Sequence, residues 1–381
     1  MAPEPPRVRK EAGPTDGRGA RRRAADILLS GFLVLVVLLL ASRFPVSDIA
    51  VYQGYAKGFL LHGGFPREYP PLSLVPMLLA HALAAVARIG FAQAWLLLGA
   101  VALFALTLTI GRPSVLLALL PLASPLLGTY DVWPILCLVA SYLLLERRPA
   151  LSWLLLGAAI ALKLFPLLFV PLWWQRERRG WAYALLPLLS LYPPAMSSVL
   201  HWQFARQAEW ESTVSLFSYV LTPGAVTMRH AFGAVELYSA ASGALALALD
   251  GLYVLLFAWI TFLRRDLGLA ARMLLLLSLW FLTNKALSVQ YVFWVVCLAY
   301  AAGLELLPFA ALGWCTALLY PWLSAEAAAL RGLGVLHAGL GPALGLAMTL
   351  VALRLAVWLI ILARLLRRRG RAWETPPAAP G

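Results

Sequence analysis

The chain has 381 residues, of which 62% are hydrophobic and 13% charged, with a formal net charge of +14. Apolar runs recur along its whole length, which excludes a soluble domain and predicts an all-α, polytopic membrane protein, since lipid tolerates only helices and closed barrels. The positive charge does not point to nucleic acid. It is gathered at Arg21-Arg22-Arg23, Arg147-Arg148, Arg176-Glu177-Arg178-Arg179 and the run 364–371, all flanking apolar stretches. There it acts as a cytoplasmic orientation signal and can hold anionic lipid headgroups.

Residues 1–26, rich in Pro, Gly and Arg, are expected to be a disordered cytoplasmic segment. The first apolar run, 27–44, has the basic flank of a signal peptide. Ala41-Ser42-Arg43-Phe44-Pro45 makes a poor cleavage site, so a retained anchor is expected. A polar stretch containing Asp48, Tyr52 and Tyr55 follows and runs on to Glu68-Tyr69-Pro70-Pro71. The next run, 72–86, is short and carries Pro76. Counted as a crossing, it would leave the later arginine clusters outside, so it is read as a re-entrant or surface-lying helix.

Further crossings are expected at 92–110, 114–128, 131–145, 150–163, 165–175, 181–199, 239–263, 270–284, 291–304, 308–323 and 341–363. With the first they make about twelve, an even number that keeps both basic termini inside. Several fall short of the ~20 residues that span a bilayer. A single transmembrane domain over 27–368 and a cytoplasmic tail over 369–381 complete the organisation; no repeat is evident. Cys137, Cys297 and Cys315 lie inside apolar runs and read as free, buried thiols.

This path puts the Asp48 stretch, the turn at Tyr130-Asp131, the broken tips at Lys163 and Lys285, and the segment 200–238 on the outer face. A lysine at bilayer depth costs on the order of 2.5–3.5 kcal/mol unless it snorkels. Two at matching tips favour a phosphate partner over snorkelling. His201-Trp202-Gln203-Phe204-Ala205-Arg206 through Ser212 is read as an amphipathic helix in the headgroups. Arg206 and Glu211 there either face the cavity, with Arg206 forking onto phosphate, or form a structural ion pair. Asp131 caps the helix that follows it or lines a sugar site. Asp48 is either a solvated surface acid or the base of a shared site.

These residues fall into an ordered set of motifs. They are Asp48-x3-Tyr52, Gly63-Gly64-Phe65-Pro66 with Tyr69-Pro70-Pro71, and Tyr130-Asp131-Val132-Trp133-Pro134. Gly157-x5-Lys163-x2-Pro166, Arg206-x4-Glu211-Ser212 and Lys285-x2-Ser288-Val289-Gln290-Tyr291-x2-Trp294 follow. The pattern resembles glycosyltransferase family 87, the polyprenol-phosphate-mannose-dependent mannosyltransferases of the GT-C superfamily. The chain departs from it at Val289, where proline is common, and at 130–133, where a Gly-Gln-x-Asn turn is common.

The resemblance implies glycosyl transfer at the outer face of the plasma membrane, with Asp48 as base. Tyr52, Tyr69, Asp131, Lys163, Arg206, Glu211, Lys285, Gln290 and Tyr291 are expected at the substrate. The partners are then a lipid-linked sugar donor, a glycolipid or glycan acceptor, and membrane lipids.

A phosphosugar donor needs one base for the acceptor hydroxyl and cations for the departing phosphate. One base and in-line displacement invert the anomeric centre, so no second nucleophilic carboxylate is required. No metal and no cofactor beyond the donor is expected. The rival readings are a transporter or flippase of a lipid-linked sugar, a membrane scaffold, and a transferase using a diphosphate-linked oligosaccharide.

Overall fold

The computed structural model describes residues 17–43, 48–222, 225–231, 234–304, 306–319 and 341–367. In chain order the helices are α1 (Gly17–Arg43), α2 (Asp48–His62), α3 (Leu74–Ala87), α4 (Phe91–Ile110), α5 (Ser114–Leu119) and α6 (Ala123–Gly128). Then come α7 (Val132–Leu144), α8 (Pro149–Leu162), α9 (Val170–Arg176), α10 (Leu185–Leu188), α11 (Pro193–Ala205) and α12 (Thr213–Leu221). The last are α13 (Ser242–Ala258), α14 (Leu269–Thr283), α15 (Tyr291–Ala301), α16 (Leu306–Ala317) and α17 (Gly341–Arg367). Three short strands, β1 (Ala208–Glu209), β2 (Thr227–Ala231) and β3 (Ala234–Tyr238), pair antiparallel in the order β1-β3-β2.

The chain is a helical membrane protein. Among the described residues four helices are long and apolar enough to cross a bilayer: Ala20–Arg43, Phe91–Ile110, Ser242–Leu263 and Met348–Arg367. The pair Trp181–Leu188 and Pro193–Ala205, bent by 86°, makes a fifth if it is one span. The other apolar runs form shorter helices, set against about twelve expected crossings. Proline is one cause. Pro121, Pro125, Pro166, Pro171, Pro187 and Pro193 divide runs into short pieces, because each lacks an amide donor and clashes with the preceding turn.

Three local expectations are corrected. The segment 1–26 is not disordered throughout, since α1 already begins at Gly17. Ala20 and Arg21-Arg22-Arg23 are good helix formers and extend the anchor upstream. The helix expected over 201–212 ends at Ala205, and Ala208-Glu209 pair instead with Leu237 and Glu236 of β3. Helix α16 stops at Ala317. Residues 1–16, the end of the 308–323 run and the 369–381 tail lie outside the described residues. The 72–86 run forms α3 behind a 3-10 turn at Pro71–Ser73, with Pro76 in its first turn, where a missing amide costs least.

Two antiparallel hairpins position the site. Helices α7 and α8 pack closely, with the Ser141 and Ser152 hydroxyls 3.1 Å apart and Trp173 Nε1 donating to Ser152 Oγ at 3.0 Å. Gly157 lets the 3-10 turn at Trp181–Ala184 approach α8, where a Cβ would meet the Ala184 carbonyl at 2.4 Å. The start of α7 and the end of α8 therefore share one end of the bundle. The turn between α14 and α15 carries Lys285, Ser288 and Gln290 to the same place.

Candidate active site

At that end a cavity of about 1060 Å³ opens among α2, the 68–70 turn, the α8 and α14 tips, α11, β1 and α13. Asp48, Tyr52, Tyr69, Asp131, Lys163, Arg206, Lys285, Gln290 and Tyr291 all line it. Glu211 does not. Nine residues drawn from five separate parts of the sequence thus meet around one space.

Asp48 opens α2, in the first turn, where the helix dipole favours an anion. Burial pushes its carboxyl up to about 6, and Glu68 and Asp131 add to the rise. Lys163 and a hydrogen bond with Tyr52 oppose it. One turn further on, Tyr52 is fully buried. Its ring packs 4.6 Å from Trp95, 5.9 Å from Tyr69 and 6.1 Å from Tyr130. Beside this aromatic wall the Tyr55 hydroxyl donates to Glu68 Oε1 at 3.0 Å, and burial raises the Glu68 carboxyl as well. Asp48 is a half-buried acid among tyrosines, not a solvated one.

Asp131 precedes α7 but its side chain makes no capping bond. Its Oδ1 instead accepts from Lys163 Nζ at 2.5 Å and from Trp294 Nε1 at 2.7 Å. Lys163 Nζ also lies 4.6 Å from the Tyr291 ring centroid and 5.2 Å from that of Tyr130. Tyr291 is held by stacking on Phe281, centroids 4.8 Å apart and planes 12° apart. The α8 lysine is thus a half-buried, paired cation in an aromatic box.

On the other wall, Arg206 pairs with Glu209, whose second oxygen accepts from Ser288 Oγ at 2.9 Å. Glu209 reaches both because β1 lies beside the α14–α15 turn, with its amide donating to the Lys285 carbonyl at 2.9 Å. Lys285 Nζ donates to the carbonyls of Phe204 at 3.0 Å and Arg206 at 2.5 Å. Burial lowers its ammonium pKa, partly offset by Asp250 and Glu236. No carboxylate among the described residues pairs with it directly, so its charge faces the cavity less compensated than the other two.

Glu211 is buried behind this wall and faces Arg354 of α17, Nη1 to Oε2 at 3.5 Å. Arg354 also donates to the Glu211 backbone carbonyl. Burial raises the Glu211 carboxyl, and Arg354 opposes the rise. Neither alternative holds for both residues: Arg206 lines the cavity and pairs with Glu209, while Glu211 lies behind the wall and pairs with Arg354.

Glu68, Glu209, Ser288, Asn284 and Asp250 also belong to the cavity wall, and none has a role assigned from sequence alone, although Glu68 adjoins and Ser288 stands within its motifs. Asp250 alone carried a usable signal, an acid inside a membrane-spanning run. No protein-family model, no curated protein and no solved structure matches this chain.

Proposed function

We propose that the chain is a membrane glycosyltransferase. It moves a hexose, with mannose expected, from a polyprenyl phosphate carrier to a glycolipid or glycan acceptor at the outer face of the plasma membrane. One observation carries the proposal: a carboxylate with a raised pKa, Asp48, shares a single cavity with three cations, Lys163, Arg206 and Lys285. The resemblance to the polyprenol-phosphate-mannose-dependent family supports the choice of donor.

In the proposed reaction Asp48 accepts the proton of the acceptor hydroxyl as its oxygen bonds to the anomeric carbon. The bond from that carbon to the phosphate oxygen breaks, and polyprenyl phosphate leaves with the electron pair. A pKa near 6 makes Asp48 a stronger base than a free aspartate while leaving it ionised at neutral pH. Lys285, the cation least compensated by carboxylates, meets the departing phosphate, and preorganised charge there costs no reorganisation during the step. Arg206 and Lys163 add to the field from fixed positions. A single base attacking in line gives inversion, so a β-linked donor yields an α-linked product.

The test is transfer by the purified protein in proteoliposomes holding polyprenyl phosphomannose and candidate lipid acceptors. An α-mannosylated product and free polyprenyl phosphate in equal amounts are expected. Movement of intact donor across the bilayer without any product would mark a flippase.

A further inference from the structure

Helix α13 sends one charged side chain into the cavity, and nothing in the chemistry above uses it. Asp250 lies eight residues from the start of the helix, about 12 Å along its axis at 1.5 Å per residue. The helix belongs to a segment long and apolar enough to cross a bilayer, Ser242–Leu263, so this acid lies within an apolar span. Ser242, Gly243, Ala246 and Tyr253 line the cavity with it, at helical spacing on one face. Gly243 and Ala246 leave room in front of the backbone, so a ligand can come close to this helix.

Asp250 is exposed, and among the described residues no hydrogen bond or ion pair engages its carboxylate. Its charge is felt by Lys285 across the cavity wall. A structural acid in such a span would have a fixed partner, since an unpaired charge in lipid is costly and intramembrane acids face a cavity or a pathway. A carboxylate cannot be there for the phosphate, which it repels. It is an acceptor with several free lone pairs, suited to hydroxyl groups.

We infer that Asp250 is a specificity-determining residue that accepts hydrogen bonds from the hydroxyl groups of the lipid-linked sugar, beside Lys285, which faces the sugar's phosphate. The inference rests on the glycosyltransferase reading and deepens it by naming the part of the wall that distinguishes a sugar-bearing carrier from a bare one. A site built around substrate hydroxyls discriminates strongly against a ligand that lacks them.

The experiment measures binding of two probes, polyprenyl phosphate and polyprenyl phosphomannose, to the full chain in nanodiscs. Asp250→Asn is expected to weaken the phosphomannose lipid about tenfold or more and the bare phosphate lipid less than about twofold, the scale of a lost hydrogen bond to a charged acceptor. Asp250→Glu, which keeps the carboxylate, is expected to retain part of the preference. Lys285→Met should weaken both lipids. Equal weakening of both probes by Asp250→Asn, or weakening of neither, overturns the inference and leaves Asp250 as a mere counter-charge or a lipid-facing acid. Wild-type protein that binds neither probe overturns the glycosyltransferase reading and this inference with it.

Discussion

Lys163 Nζ and Asp131 Oδ1 stand 2.5 Å apart, although 32 residues separate them, and Trp294 completes the triad from a third helix. Removing one member of a buried pair leaves the other uncompensated, at a cost of about 3–5 kcal/mol. Asp131→Leu should therefore lower the unfolding temperature well beyond Asp131→Asn, which keeps an oxygen for both donors. Thermal unfolding in detergent decides it. Equal, negligible losses would show that the triad is not structural.

Asp48 gives a pH signature. Its folded-state pKa of about 6 lies above the ordinary aspartate value of 3.8, so the folded state holds the proton more tightly. Asp48 thus favours folding below about pH 4, and that contribution is lost as pH rises through 6. Asp48→Asn is expected to raise the unfolding temperature at pH 8 relative to wild type, with the difference shrinking toward pH 4. The proposed transfer is expected to have the opposite dependence, rising with pH through about 6 as the base ionises. A pH–rate profile without that limb would remove Asp48 from the role of base.

The Arg354–Glu211 pair ties α17 to the loop behind the cation wall. Arg354→Met is expected to destabilise the protein by about 3–5 kcal/mol, and the double variant with Glu211→Gln by much less, since no buried charge is then stranded. A double-mutant cycle of unfolding temperatures measures the coupling. Additive losses would mean the two side chains act independently.

Much of the helical architecture was legible because apolar length is a local property. The run at 92–110 became α4, and the tips at Lys163 and Lys285 do terminate helices. Their meeting with Asp48 around one cavity agrees with the expectation that these segments share a site, which was drawn from arginine clusters flanking the apolar runs and the parity of crossings between them. What could not be read was pairing. Glu211 finds Arg354 143 residues away, and Glu209 finds Ser288 79 residues away. The aromatic-polar pattern of 201–212 suggested one helix. Strand pairing with β3, a contact between residues nearly thirty apart, outweighed that local preference.

Among the cations, Lys285 offers the sharpest test of the donor site. Its bonds are to backbone carbonyls, whereas Lys163 and Arg206 each have a carboxylate partner. Lys285→Met should weaken polyprenyl phosphate binding more than Lys163→Met or Arg206→Met does. Surface-bound lipid titrations on the reconstituted protein measure the order. Unchanged affinity in all three variants would make snorkelling and structural pairing the better account of these residues.

The central claim is that Asp48 removes the acceptor proton, and one measurement addresses it directly. Asp48→Asn keeps the size and most of the hydrogen bonding of the native side chain but cannot act as a base. Reconstituted with polyprenyl phosphomannose and acceptor, it should bind donor as wild type does while turnover falls at least ~100-fold, the usual share of general-base catalysis. Asp131→Asn, measured alongside, should retain most of the rate per folded molecule. Full turnover in Asp48→Asn, or loss confined to Asp131→Asn, would contradict the assignment.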